Sequence, residues 1–126
     1  MWRIQRDDSP PVTTPEDIKE RIRAVVSAGI GETWLEHPDG PLLAVVPGPG
    51  RVFVMYLAEE GDAGYHAIDP AGSPEVERGY ELSNGQEDTW PDSETVSSDN
   101  ALPIVEHLLQ HDERWPGVAW HNDAED

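Results

Sequence analysis

The chain has no cysteine. That excludes disulfides, thiolate metal sites and a cysteine nucleophile, and it fits a reducing compartment. Lysine is almost absent: Lys19 stands alone beside seven arginines. No apolar run is long enough to span a bilayer, and the stretch from Met1 to Asp8 lacks the apolar core of a signal peptide. The expectation is a soluble, cytoplasmic protein with no membrane partner. Aromatics make up only 7% of the 126 residues, with a single phenylalanine. A chain of this length suits one compact domain with a small core.

Acid is in excess. The net charge is −18, and it is unevenly spread. Residues 1–51 hold six Lys/Arg against eight Asp/Glu, a net −2; residues 52–126 hold two against eighteen, a net −16. Such a surface repels nucleic acid and anionic membrane and attracts basic proteins from a distance. The plainer reading of the same charge is solubility.

The clearest structural signal is a hairpin. Leu42–Val46 and Arg51–Leu57 are apolar, β-branched-rich runs on either side of Pro47-Gly48-Pro49-Gly50. Pro and Gly bar a helix from continuing between them. Tyr65–Ile68 adds a third strand after the acidic loop Ala58–Gly64, and Thr33–His37 reads as a strand before the hairpin, turning at Pro38-Asp39-Gly40. Val76–Leu82 is a further candidate strand, followed by the two-residue turn signal Asn84-Gly85. Gln86–Trp90 and Glu94–Ser97 are expected to pair with each other.

Two helices are expected. Thr14 is a cap, Pro15 sits at the first helical position, and Ile18, Ile22, Val25 and Val26 form an apolar stripe that ends at Gly29 and Gly31. A second helix starts near Ser98-Asp99-Asn100 and ends by His111-Asp112. Its stripe is Ala101, Leu102, Val105, Leu108 and Leu109, with Ile104 at the margin. Arg114–Trp120 carries two tryptophans around Pro116-Gly117, which should fold back onto the protein. The expected fold is α+β: a single antiparallel sheet of four to six strands with an N-terminal and a C-terminal helix packed on it. Residues 1–13 form a flexible tail or loose first strand, with Trp2 and Ile4 as anchors. Residues 14–121 form the domain, and 122–126 an acidic, frayed end.

Motifs for chemistry are incomplete. His107 and His111 stand four apart on one helix face, the spacing of a zinc site, but Leu108 occupies the place of the glutamate in the zinc-protease motif and no third ligand is suggested. The glycine-rich turn lacks the Lys-Ser/Thr of a phosphate loop. Glu59, Glu60 and Asp62 lack calcium-loop spacing and read first as solvated charge. Trp90, ringed by Asp88, Asp92 and Glu94, fits an interface hot spot or a core anchor equally well. No metal site and no cofactor is expected.

The landmarks then take a familiar order: an opening helix, Leu42–Val46, a Gly-containing turn, Val52–Leu57, Gly64-Tyr65 leading to Asp69-Pro70, Asn84-Gly85, a helix from Ala101 and a late Trp120. In this the chain resembles the immunity protein 1 family of bacterial polymorphic toxin systems over most of residues 14–120. Pro47-Gly48-Pro49-Gly50 stands where family members often carry a glycine cluster. The resemblance implies a non-enzymatic protein that binds and inhibits a cognate deaminase-type toxin domain acting on nucleic acid, a DNA cytosine deaminase first among these. No direct contact with nucleic acid is expected, and the protein is expected to be a monomer or a 1:1 complex with the toxin. The expected contact set is Glu59, Glu60, Asp62, Tyr65, Trp90, Asp92 and Glu94, with Trp120 assigned first to packing and second to the partner. Competing readings are an acidic adaptor or DNA mimic that binds another basic protein, and a metal-dependent hydrolase using the carboxylate loop and His107/His111.

Overall fold

The computed structural model describes residues 1–4 and 10–125; residues 5–9 of the expected tail, and Asp126, lie outside the described residues. The hairpin is built as its composition demands. Strands β3 (Leu42–Pro47) and β4 (Arg51–Leu57) pair antiparallel from Leu42 opposite Leu57 to Pro47 opposite Val52. Gly48 at the tip lies against the ring of Tyr80, where a Cβ would come within 2.8 Å of ring carbons, so packing requires a glycine there, while the backbone bend falls at Gly50 with φ +77°.

Around this pair the chain lays down an antiparallel sheet. Its order is β1 (Arg3–Ile4), β2 (Thr33–Glu36), β3, β4, β5 (Tyr65–Ile68) and β9 (Ala119–Asn122), with β8 (Val96–Ser97) on the other end of β4. A second, two-stranded ribbon pairs β6 (Glu77–Glu81) with β7 (Glu87–Pro91) through the Asn84-Gly85 turn. The fold is therefore α+β with a mostly antiparallel sheet and two helices. The sheet has seven strands, more than the four to six expected, and the ribbon is separate from it.

Alternation along the strands divides the core. Leu43, Val45, Val52 and Val54 point to one face, where they meet Ile18 and Ile22 of α1 (Pro15–Ala28) and Ile104, Val105 and Leu108 of α2 (Ala101–His111). Each of these side chains is essentially buried, a contribution of roughly 1.5–3 kcal/mol apiece. Val46, Phe53 and Met55 point the other way, into a smaller cluster with Tyr80, Leu82 and Trp90 of the ribbon region. The helices thus cover one face and the ribbon part of the other.

Helix α1 starts where expected, with the Thr14 hydroxyl accepting from Asp17 N at 3.3 Å, and ends at Gly29, whose N–H returns to the carbonyls of Val25 and Val26. Neither helix is terminal. β1 precedes α1 and β9 follows α2. Trp2 and Ile4 are 2% and 4% exposed, and the Trp2 indole N–H donates to Asp112 Oδ1 at 2.8 Å. Asn122 ends β9, and Asp123 reaches back to His66, so the acidic end is tied to the sheet at its start.

Three expectations are corrected. Gln86–Trp90 does not pair with Glu94–Ser97. The first run joins β6, because Asn84-Gly85 makes a tight turn, while Pro91 and a 3₁₀ turn at Asp92–Glu94 redirect the chain so that Val96 meets Val52. Ile104 is not marginal but 1% exposed, whereas Leu102 and Leu109 are half-buried, since α2 packs against both α1 and the sheet and so buries a wider stripe. Ala119–Asn122, expected only to fold back or to fray, form a strand, β9, paired with β5 from Tyr65 opposite Asn122 to Ile68 opposite Ala119.

Arg51 stitches these pieces together. Its Nε donates to Thr95 Oγ1 at 3.0 Å, and its Nη2 is ringed by Asp69 Oδ2 at 3.1 Å, the Asp92 carbonyl at 2.7 Å and the Thr95 carbonyl at 2.8 Å. The side chain is 17% exposed. Arg51→Ala strands a carboxylate and two carbonyls in a poorly solvated place, and it is expected to cost about 3–5 kcal/mol in urea unfolding. Arg51→Lys is expected to recover only part of this, because an ammonium lacks the planar fork.

Candidate functional site

The structure places the expected contact residues in three locations. Glu59, Glu60 and Asp62 are exposed on the turn between β4 and β5, where Asp62 N donates to the Glu59 carbonyl at 3.2 Å. Tyr65 opens β5 beside them. By its pairing with Tyr56 it points to the helix side of the sheet. Trp90, Asp92 and Glu94 belong to the ribbon and the following 3₁₀ turn, and Trp90 and Glu94 meet side chains on the opposite face.

Trp90 is a packing residue. Its ring lies flat on Phe53, with centroids 3.9 Å apart and planes within 6°, and Tyr80 tilts against it at 5.2 Å. Asp92 is turned inward. Both its oxygens are taken by Arg78, at 2.7 Å from Nε and 3.1 Å from Nη2, and its carboxylate also feels Arg51 at 4.0 Å. The hydrogen bond from Arg78, then the positive charges of Arg78 and Arg51, hold the Asp92 carboxyl below its ordinary range against the opposing effect of burial. Glu94 lies 3.4 Å from His66 Nε2. Trp120 is half-buried across β5 from Ala67, and its indole N–H donates to the Trp115 carbonyl at 2.9 Å.

His66 and Arg114 were not singled out by sequence reasoning. His66 is 6% exposed and stacks on Phe53 at 5.7 Å. Its Nδ1 lies 2.8 and 3.0 Å from the two oxygens of Asp123, so Nδ1 carries a proton when that carboxylate is ionised. Asp123 comes from beyond β9, and no local pattern links it to His66. Arg114 stacks on Tyr65, with its guanidinium carbon 3.8 Å from the ring centroid. The sequence signal there was the unusual run Arg114-Trp115-Pro116-Gly117.

The two histidines of α2 have rings 4.5 Å apart, and His107 Nε2 bonds Glu113 at 2.9 Å. Among the described residues no group of three or more His, Asp or Glu side chains is arranged to hold a metal ion. Tyr65 and Trp120 instead line an open cleft of about 410 Å³, together with Tyr56, Trp115, Pro116 and the Asp112–Arg114 turn. No protein-family model and no curated protein matches the chain.

The surface of the ribbon is acidic because its acids outnumber its cation and that cation is paired. In the ribbon, Glu77, Glu81, Glu87 and Asp88 are exposed, and its one cation, Arg78, is bound to Asp92. Glu81 lies directly opposite Glu87 on the ladder. Glu32 anchors the ribbon's turn. Its partial burial raises its pKa, but hydrogen bonds from Ser83 N, the Trp34 indole and the Ser83 hydroxyl outweigh that and leave it lowered.

Asp92 sets a pH dependence. Its folded pKa is depressed, so the stability it contributes is fully present above the ordinary carboxylate pKa and is lost as pH falls through the lowered folded value. Asp92→Asn lacks this contribution. The gap in urea midpoint between wild type and variant is expected to be widest near neutral pH and to close in acid; a gap that stays constant with pH contradicts the assignment.

Proposed function

We propose that this chain is an immunity protein that binds a cognate bacterial deaminase-type toxin domain, blocks its action on nucleic acid and so protects the producing cell. The observation that carries this reading is the outward-facing acid of the C-terminal part. Carboxylates directly opposite on an antiparallel ladder repel one another and destabilise the pair. Glu81 and Glu87 stand so, on an exposed ribbon whose arginine neutralises an inner carboxylate instead. Charge placed at the expense of stability and presented to solvent suits a basic partner.

A nucleic-acid deaminase domain must present a cationic groove to its substrate's phosphates. An acidic protein is steered to such a groove, and its carboxylates take the phosphate positions. DNA cytosine deamination is the activity placed first, on the resemblance to the immunity protein 1 family. The exposed loop Glu59–Asp62 and the ribbon are the surfaces assigned to charge pairing. Trp90 and Asp92 hold the ribbon in place behind them.

The deciding experiment is co-expression with the toxin domain that this reading expects an adjacent reading frame to encode. Growth is expected to be restored, and cells that die as fast with this protein as without it would sink the reading. Rescue of cells from an unrelated basic protein, without rescue from the toxin, would favour the adaptor or DNA-mimic reading. Association with the toxin is expected to slow steeply as salt rises. Glu87→Gln is expected to raise stability by up to about 1 kcal/mol while slowing association. An unchanged association rate would remove the ribbon from the interface.

A further inference from the structure

We infer that the cleft between the Asp112–Pro116 turn and the strand residues Tyr65 and Trp120 is a binding site for a carboxylate carried beside a flat apolar side chain of a partner protein. The inference deepens the partner-binding reading above, since it names the group the partner would insert. It starts from an anomaly of charge. In a chain of net −18, Arg114 has no carboxylate partner among the described residues; its recorded contacts are the rings of Tyr65 at 3.8 Å and Trp120 at 5.9 Å. The two residues before it in sequence, Asp112 and Glu113, are acids, and both line the same cleft. Each is engaged elsewhere: Asp112 accepts from the Trp2 indole at 2.8 Å, and Glu113 bonds His107 at 2.9 Å.

Stacking occupies the face of a guanidinium and leaves its N–H fork free in the plane. The fork geometry matches a carboxylate bidentately. Arg114 is the one cation of the lining, and with Asp112 and Glu113 bonded to Trp2 and His107 its fork is the group that would take a carboxylate. The walls are also fixed in advance. The Trp115 ring lies over Gly117, where any Cβ would collide with it, and the Trp115 carbonyl holds the Trp120 indole. Preorganised walls reduce the ordering cost of binding. Trp, Tyr and Arg are the residue types that dominate interface hot spots, and the volume of about 410 Å³ accepts a side chain of aromatic size. On a basic partner steered in by the acidic ribbon, one carboxylate that must find Arg114 would set the register of docking.

The test uses the full chain and small probes. N-acetyl-phenylalanine supplies a ring and a carboxylate, and its amide supplies the ring alone. In an NMR titration the acid is expected to shift the Trp115 and Trp120 indole N–H and the Arg114 Nε–H signals, with a millimolar Kd reasonable for a fragment. The amide is expected to bind at least about tenfold more weakly. Arg114→Ala should abolish the difference between acid and amide, and Arg114→Lys should shrink it, with both variants checked for wild-type thermal midpoints. Absence of shifts, equal binding of acid and amide, or an unchanged preference in Arg114→Ala would overturn the proposal. With the toxin domain of the adjacent frame, Arg114→Ala is expected to weaken binding by roughly 30-fold or more; an unchanged affinity would also overturn it. A wild type that fails to bind the toxin defeats the immunity reading, while the probe titration still decides the cleft.

Discussion

One arginine holds the two halves of this molecule in register. Arg51 begins β4, the central strand, and its guanidinium reaches the Thr95 hydroxyl and carbonyl, the Asp92 carbonyl and the Asp69 carboxylate. These acceptors lie 18 to 44 residues away in sequence. Through them the sheet, the loop after β5 and the 3₁₀ turn after β7 share one charged centre. Asp92 extends it, because its backbone faces Arg51 while its carboxylate closes on Arg78. The ribbon shares no ladder hydrogen bonds with the sheet, so its position depends on this pair of arginines, on Glu32 at Ser83 and on the Phe53–Trp90 stack. Partly buried charge is favourable here because the Asp69 and Asp92 carboxylates and the Asp92 and Thr95 carbonyls each meet a guanidinium N–H.

The same centre explains why so acidic a chain folds without large internal repulsion, and why its outside is so negative. The cations of its acidic part are few. Arg78 neutralises an inner carboxylate and Arg114 lies on aromatic rings, so neither offsets the exposed acids of the ribbon and the Glu59–Asp62 turn. The acids of the ribbon and of the Glu59–Asp62 turn are thus left facing solvent. Such a surface acts on association rate and partner choice more than on the fold. The aromatic cleft beside it differs in character, with ring walls and, beside Asp112 and Glu113, a guanidinium that has no carboxylate partner among the described residues.

Much of the fold was legible because the signals are local. The Pro/Gly turn, the alternating runs around it, the Thr14-Pro15 helix start and the Asn84-Gly85 turn each act within a few residues, and each appears where the pattern put it. What failed was pairing. Sequence proximity pairs Gln86–Trp90 with Glu94–Ser97, yet the partner of each is chosen by the redirecting turn at Pro91–Glu94. β9 was hidden because Ala119–Asn122 has no strand pattern until β5 offers it an edge. The contact set suffered likewise. Glu59, Glu60 and Asp62 could be recognised as exposed from their loop, but Asp92 looks identical in sequence and is buried by an arginine 14 residues earlier.

The amino-acid sequence by itself determined the composition-level properties and the local elements. These are the absence of thiol chemistry, the acid excess and its skew beyond residue 51, two amphipathic helices and a central hairpin, because each depends on residue type and near-neighbour periodicity. Tertiary structure alone decided which acids face water, which tryptophan is a strut and which lines a cleft, and that Arg114 lies on aromatic rings with no carboxylate partner among the described residues. The reason is physical. Burial and ion pairing are set by contacts between segments far apart in the chain, and a carboxylate's fate depends on whether a guanidinium reaches it through space.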